Sequence, residues 1–249
     1  MERAVTGARL ALLALTAAFA LAATKAPAGD FADLESFGFS ADGRVYAFGQ
    51  SGIQDGSGFP YADIVFVDLA ADAVLPPSPI RVRLEEDGAT PQTARETARR
   101  SAAALFAAHA PQDNPGRLLV SNPATELSAD PYRAVFRPRP IEPSPDRDIE
   151  IRLEPIPLGA GSDCAGMTDT VYGFRLVRVA TRPGESAVVL HENQTLPASR
   201  ACALDYRLSE IRVADTAGGS RVGVVLVGVK RVGFEGPDLR FLAVPLALD

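Results

Sequence analysis

Hydrophobic residues recur along most of this chain in short, strand-length runs separated by Gly, Pro and Asp-Gly turns. That pattern predicts a mainly β protein. Phe39 to Leu69 is the most patterned stretch. Within it Ser40-Ala41-Asp42-Gly43 separates two apolar runs, and Asp-Gly there predicts a tight hairpin turn, because Gly reaches positive φ without steric cost. Arg44 to Phe48 predicts a mostly buried strand. Ser51 to Pro60 carries Gly52, Gly56, Gly58 and Pro60 and reads as a long irregular loop. Asp63 to Leu69 is almost continuous in β-branched and aromatic residues, which predicts a strand covered on both faces.

Further along, Ala70 to Ala73 reads as a turn, and Pro76-Pro77-Ser78-Pro79 excludes a regular element. Ile80, Val82 and Leu84 alternate with Arg81, Arg83 and Glu85, a half-exposed strand. Thr90-Pro91 predicts the start of one inserted α-helix, about 92–110, with Thr as N-cap and Pro at the first turn. Ala94, Ala98, Ala102 and Leu105 share one face with Phe106 beside them, so this helix is expected to lie close on the β body. Gly116 to Val120 and Tyr132 to Phe136 predict short strands. Pro138, Pro140, Pro143 and Pro145 form an extended spacer that offers a division into two halves near 138–145. Ile149 to Leu153 alternates strictly, and Pro155 and Pro157 are expected to end that strand. Val171 to Val179 and Ala187 to Leu190 predict a hairpin around Arg182-Pro183-Gly184. Tyr206 to Val213 predicts another strand, with a glycine turn over Thr216 to Ser220.

The last segment repeats the order of the first. Val222 to Val229 and Leu239 to Leu246 are apolar strands joined by a loop holding Gly233, Gly236 and Pro237. Laid ungapped on the opening stretch, Arg221 falls on Arg44, Gly233 on Gly56, Pro237 on Pro60 and Leu246 on Leu69, which suggests an internal repeat. The expected fold is mainly β, with propeller-like or sandwich-like antiparallel sheets and one inserted helix. The layout FSxDGRxxAF followed by IxxxDL resembles one blade of a TolB-like or WD40-like propeller. GFSADGR and GIQDGSGFPYADI, with the later SRACALDYRL and GFEGPDLRFLAV, resemble a bacterial family of predicted secreted proteins of unknown function. The resemblance implies an acidic and an aromatic residue where Gly49 and Ser51 stand here, and it implies no particular activity.

Composition adds the compartment. Arg3 and Arg9, the apolar run Leu10 to Leu21 and the small-residue site Ala20-Leu21-Ala22 read as a cleavable signal peptide over 1–22. Residues 23–249 are then a single exported β-rich domain, periplasmic or secreted. The apolar run is shorter than the roughly 20 residues that span a bilayer, and no stable membrane insertion is expected after cleavage. The chain carries a formal net charge of −6 and no Lys/Arg cluster interleaved with aromatics, so nucleic acid is not an expected partner. In an exported protein the only two cysteines, Cys164 and Cys202, predict a disulfide.

Catalytic motifs are broken or missing. His191-Glu192 begins like HExxH, but Thr195 stands where the second His belongs. Gly159-Ala160-Gly161 lacks the third glycine of a dinucleotide loop, and GxSxG, P-loop and CxxC patterns do not occur. His109 is placed to interact with a helix C-terminus. Asp42 reads as a turn residue, Asp205 as a surface charge, and the sequon Asn193-Gln194-Thr195 carries no weight. No cofactor or metal is expected. The candidate ligand or partner loop holds Gln54, Asp55, Tyr61 and Asp63, with Glu235 and Asp238 at the matching C-terminal position, since binding groups concentrate on loops displayed by rigid strands. These features point to a non-catalytic binding module for a partner protein or envelope ligand. One alternative is a hydrolase whose acids, Asp55, Asp63 and Glu235, come from separate loops. Another is a calcium-stabilised module built on Gln54 to Gly58.

Overall fold

The computed structural model describes residues 29–248; the signal peptide read over 1–22 lies outside them. Strands Asp33–Phe39 (β1), Val45–Ile53 (β2) and Pro60–Asp68 (β3) form an antiparallel N-terminal sheet, and the short strands Ala73–Val74 (β4) and Ile80–Arg83 (β5) both pair with β3. Two helices follow, Pro91–Ser101 (α1) and Ala103–His109 (α2). Strands Arg117–Ser121 (β6), Ala203–Asp215 (β11), Arg221–Arg231 (β12) and Asp238–Leu246 (β13) make a central sheet ordered β13-β12-β11-β6. Strands Arg133–Phe136 (β7), Ile149–Gly159 (β8), Thr170–Val179 (β9) and Val188–Glu192 (β10) make an outer sheet ordered β10-β9-β8-β7. The three sheets stack as layers and do not close into a propeller among the described residues.

The apolar pattern accounts for the stacking. On β12, Val225, Val227 and Val229 meet Ile151, Leu153, Phe174 and Leu176 of the outer sheet. The alternate residues Val224 and Leu226 meet Phe39, Tyr46, Phe48, Val65 and Val67 of the N-terminal sheet. β3 is covered on both faces too, as its continuous apolar run predicts: Ala62, Ile64 and Phe66 pack under the helices while Val65 and Val67 face the central sheet. The two similar hairpins, β2–β3 and β12–β13, therefore lie face to face.

The helical segment starts as expected. Thr90 Oγ1 accepts from the Thr93 N–H (3.2 Å) and Thr93 Oγ1 accepts from the Thr90 N–H (2.9 Å), a reciprocal cap. Ala102 leaves helical geometry (φ −90°, ψ 4°), so two short helices replace the single one expected. Ala94, Ala98 and Ala102 are buried, and Phe106 packs edge-on against Phe37 and Phe66. His109 is the last residue of α2, at the helix C-terminus as read.

Two further expectations change, both in the strands. The irregular loop between β2 and β3 is only 54–59, because pairing continues through Gly52↔Tyr61 to Ile53↔Pro60. A Cβ on Gly52 would lie 3.0 Å from the Tyr61 hydroxyl and 3.1 Å from Asp30 Oδ1, so glycine is what permits that approach. Secondly, β8 does not stop at Pro155 but runs to Gly159, paired to β9 throughout. The Leu153 N–H points away from β9, donating to Tyr132 O (2.9 Å). Pro155 and Pro157 share that parity, so their missing N–H groups face an edge that β7 has already left, where proline is tolerated. The proline-rich stretch 138–145 joins β7 to β8, neighbours in one sheet.

Cys164 and Cys202 are disulfide-bonded, tying the turn after β8 to the start of β11 within a small cluster containing Val171 and Leu158. The pairing closes a loop with a sequence separation of 38, and replacing both by Ser is expected to lower unfolding free energy by about 2–4 kcal/mol in denaturant titration. Ala98→Leu should destabilise by about 1–3 kcal/mol in the same assay, because the helix has no space for added methylenes against the N-terminal sheet.

Candidate functional site

Strand β13 is an edge of the central sheet, and residues of both flanking sheets face the space beside it. Between them lies a cleft of about 770 Å³. Its floor is apolar, formed by Phe48, Val65 and Val67 of the N-terminal sheet with Phe241 and Ala243 of β13. Asp63, Arg81 and Arg83 line one wall, from β3 and β5. His191 and Arg200 line the other, from β10 and the turn beyond it. Arg231 and Arg240 stand at the end nearest the glycine-rich loops.

The exposed edge needs partners for its backbone, and Gln50 provides one. Its Oε1 accepts from the Phe241 N–H (2.8 Å) and its Nε2 donates to Asp63 Oδ2 (3.1 Å). A single buried amide thus satisfies β13 and orients the cleft's carboxyl. Burial pushes the Asp63 carboxyl above its ordinary range; the Gln50 hydrogen bond and the Arg81 charge oppose that shift.

At the loop end, Arg240 donates to the main-chain oxygens of Asp30 (2.8 Å) and Leu239 (2.9 Å), pairs with the Asp30 carboxylate and lies 4.5 Å from the Tyr61 ring centre. The Tyr61 hydroxyl donates to Asp30 Oδ1 (2.9 Å). Asp238 accepts from the Asp30 N–H (3.3 Å) and pairs with Arg231 (3.3 Å). Burial raises Asp30 despite Arg240, and burial also raises the Tyr61 phenol. This network clamps the segment before β1 onto β13, beside the parallel bridge Phe31↔Leu239.

Across the cleft, His191 Nδ1 lies 3.0 Å from Asp72 Oδ2, on the turn between β3 and β4. Asn193 Nδ2 (3.2 Å) and an Arg200 N–H (3.3 Å) both point at His191 Nε2. Both are donors, so Nε2 is the acceptor and Nδ1 carries the hydrogen that Asp72 accepts. This contact joins the outer sheet to the N-terminal sheet over the edge of the central one. Asn193 Oδ1 also accepts from the Phe174 N–H (3.1 Å), so its amide is buried structure.

The structure brings Gln54, Tyr61 and Asp63 into the cleft lining and sets Asp238 directly behind it. Asp55 and Glu235 lie outside the lining. Asp55 Oδ2 accepts from the Glu235 N–H (2.6 Å), joining the two glycine-rich loops, while the Glu235 side chain is exposed. Asp42 is a turn residue, accepting from the Arg44 N–H (3.0 Å). Asp205 is not a plain surface charge: it is half-buried and accepts from the Tyr132 hydroxyl (2.9 Å) and the Tyr206 N–H (2.8 Å). Among the described residues no three His, Cys, Asp or Glu side chains gather as metal ligands, and no helix is long and apolar enough to cross a membrane.

Sequence reading missed the cleft's arginines and His191. Arg81 and Arg83 registered only as the polar face of a strand, and His191 only as half of a failed zinc motif. The signal available was the pairing of Asp63 with Arg81, which becomes visible only once β5 is placed beside β3.

Residues 47–247 match the family described as predicted secreted protein (DUF2259). No curated protein and no solved structure matches the chain.

A raised carboxyl pKa means the folded chain holds the Asp63 proton more readily than the unfolded one. Ionised Asp63 therefore opposes folding above its folded pKa, and the opposition vanishes below the ordinary carboxylate value of about 3.9. Asp63→Asn, which keeps an oxygen for Gln50, is expected to raise Tm by about 2–4 °C at neutral pH and to leave it unchanged in acid below that value. Thermal denaturation at the two pH values checks this, and a lowered Tm at neutral pH would contradict it.

Proposed function

The chain belongs to the family of predicted secreted proteins just described, and we propose that it is an exported, non-catalytic binding protein whose ligand seat is the cleft beside β13. The carrying observation is the cleft itself: about 770 Å³, apolar in its floor, with a small set of oriented polar groups. That combination is the usual form of an organic-ligand site. The glycine-rich loops close one end of it rather than forming the seat alone.

Binding is favoured over hydrolysis by the state of the carboxyls. Asp63 is engaged by Gln50, Asp72 by His191 and Glu85 by Arg83. The rival acids Asp55 and Glu235 are spent in, or exposed beyond, the loop clasp. Residues 23–249 are read as one exported domain with no nucleic-acid partner.

Ala73 of β4 is exposed on the cleft wall, so Ala73→Trp fills the cleft with little demand on the core. The uncharged fluorophore N-phenylnaphthylamine is expected to bind the wild-type protein and to lose about tenfold in affinity in the variant, roughly 1.4 kcal/mol. Equal binding to both proteins would overturn the assignment of the seat. Turnover of ester, glycoside or peptide substrates that disappears in Asp63→Asn would replace binding with hydrolysis.

A further inference from the structure

The sequence carries a net charge of −6, yet arginines outnumber carboxyls in this cleft: Arg81, Arg83, Arg200, Arg231 and Arg240 against Asp63, Asp72 and Glu85. Three of the arginines have direct carboxylate partners: Arg83 pairs with Glu85, Arg231 with Asp238, and Arg240 with Asp30. Arg81 and Arg200 do not. The Arg81 side chain makes no hydrogen bond or ion pair among the described residues, and only its charge reaches Asp63. Arg200 is half-buried and held entirely by neutral groups. It donates to Asn193 Oδ1 and His191 Nε2 and lies 4.9 Å from the Phe174 ring centre and 5.9 Å from that of Tyr206. Asp72 approaches it only through the His191 ring.

A guanidinium fixed in place with neutral partners has lost water without gaining a counter-charge, and such a group is completed by an anion that accepts its remaining N–H donors. Its orientation is already set, so little further ordering is needed on binding. The apolar floor of Phe48, Val65, Val67, Phe241 and Ala243 has nothing to offer an inorganic ion, and the volume suits an organic body.

We infer that the cleft takes a small amphipathic anion, a carboxylate or phosphate met by Arg200 with Arg81 on the facing wall, its apolar body lying on the β13 floor. The inference rests on the binding reading above and adds the ligand's chemical class.

Calorimetric titration of the purified exported protein with dodecanoate, dodecyl phosphate, dodecanol and inorganic phosphate tests it. One or both dodecyl anions should bind about tenfold or more tighter than dodecanol, and the stronger of the two identifies the headgroup. Arg200→Gln should abolish the preference and Arg200→Lys should keep most of it. Arg81→Gln, at an exposed side chain with no hydrogen bond or ion pair among the described residues, should weaken the anions several-fold more than it weakens dodecanol. Inorganic phosphate binding as tightly as dodecyl phosphate would overturn the amphipathic class. Dodecanol binding as tightly as the anions, and lost in Ala73→Trp, would overturn the anion while leaving the binding reading intact. Unchanged anion affinity in both Arg81→Gln and Arg200→Gln would do the same. No binding of any dodecyl compound would overturn both.

Discussion

Strand β12 carries an apolar residue or glycine at every position from Val222 to Val229, and buries both of its faces. A sheet built around such a strand cannot leave either side to water, since each buried valine or leucine side chain is worth roughly 1.5–3 kcal/mol relative to exposure. The central sheet therefore has to be a middle layer, with the N-terminal sheet on one face and the outer sheet on the other. Everything else about the architecture follows from that demand. β3 has the same two-faced character, and the helices exist to cover the face that the central sheet does not reach.

A middle layer has edges, and an edge strand presents backbone groups without ladder partners. β13 solves this with side chains and the incoming chain rather than another full strand. Gln50 reaches across from β2 to the Phe241 N–H, and the segment at Asp30 to Ala32 pairs at the other end, fixed by Arg240, Asp238 and Tyr61. What is left uncovered beyond these contacts, along Phe241 to Val244, is the cleft. The site is thus the remainder of a packing problem, and its polar groups are the ones that the edge required plus the arginines of the flanking strands.

The charge distribution separates structure from function within that site. Asp238 and Tyr61 are reasonable candidates for recognition by sequence because they are polar residues at the ends of glycine-rich loops. The Asp238 carboxylate and the Tyr61 hydroxyl instead hold Asp30 in the chain segment before β1, as shown by their hydrogen bonds and burial. Arg81 and Arg200 have no such structural counter-charge, and that difference is what marks them.

The sequence by itself determined the β class, most strand positions, the capped start of the helical segment and the pairing of Cys164 with Cys202, because these depend on local periodicity, turn chemistry and the presence of only two thiols. It also carried the family resemblance, through segments such as GFEGPDLRFLAV. Periodicity could not say that β8 continues through Pro155 and Pro157, since a missing N–H matters only if a neighbour needs it. Nor could it say that Asp205 is taken by Tyr132, 73 residues away. The cleft belonged wholly to tertiary structure. Its floor, walls and arginines come from β2, β3, β4, β5, β10, β12, β13 and the turn at Arg200, elements separated by most of the chain, and sequence spacing carries no information about which sheet edge will be left open.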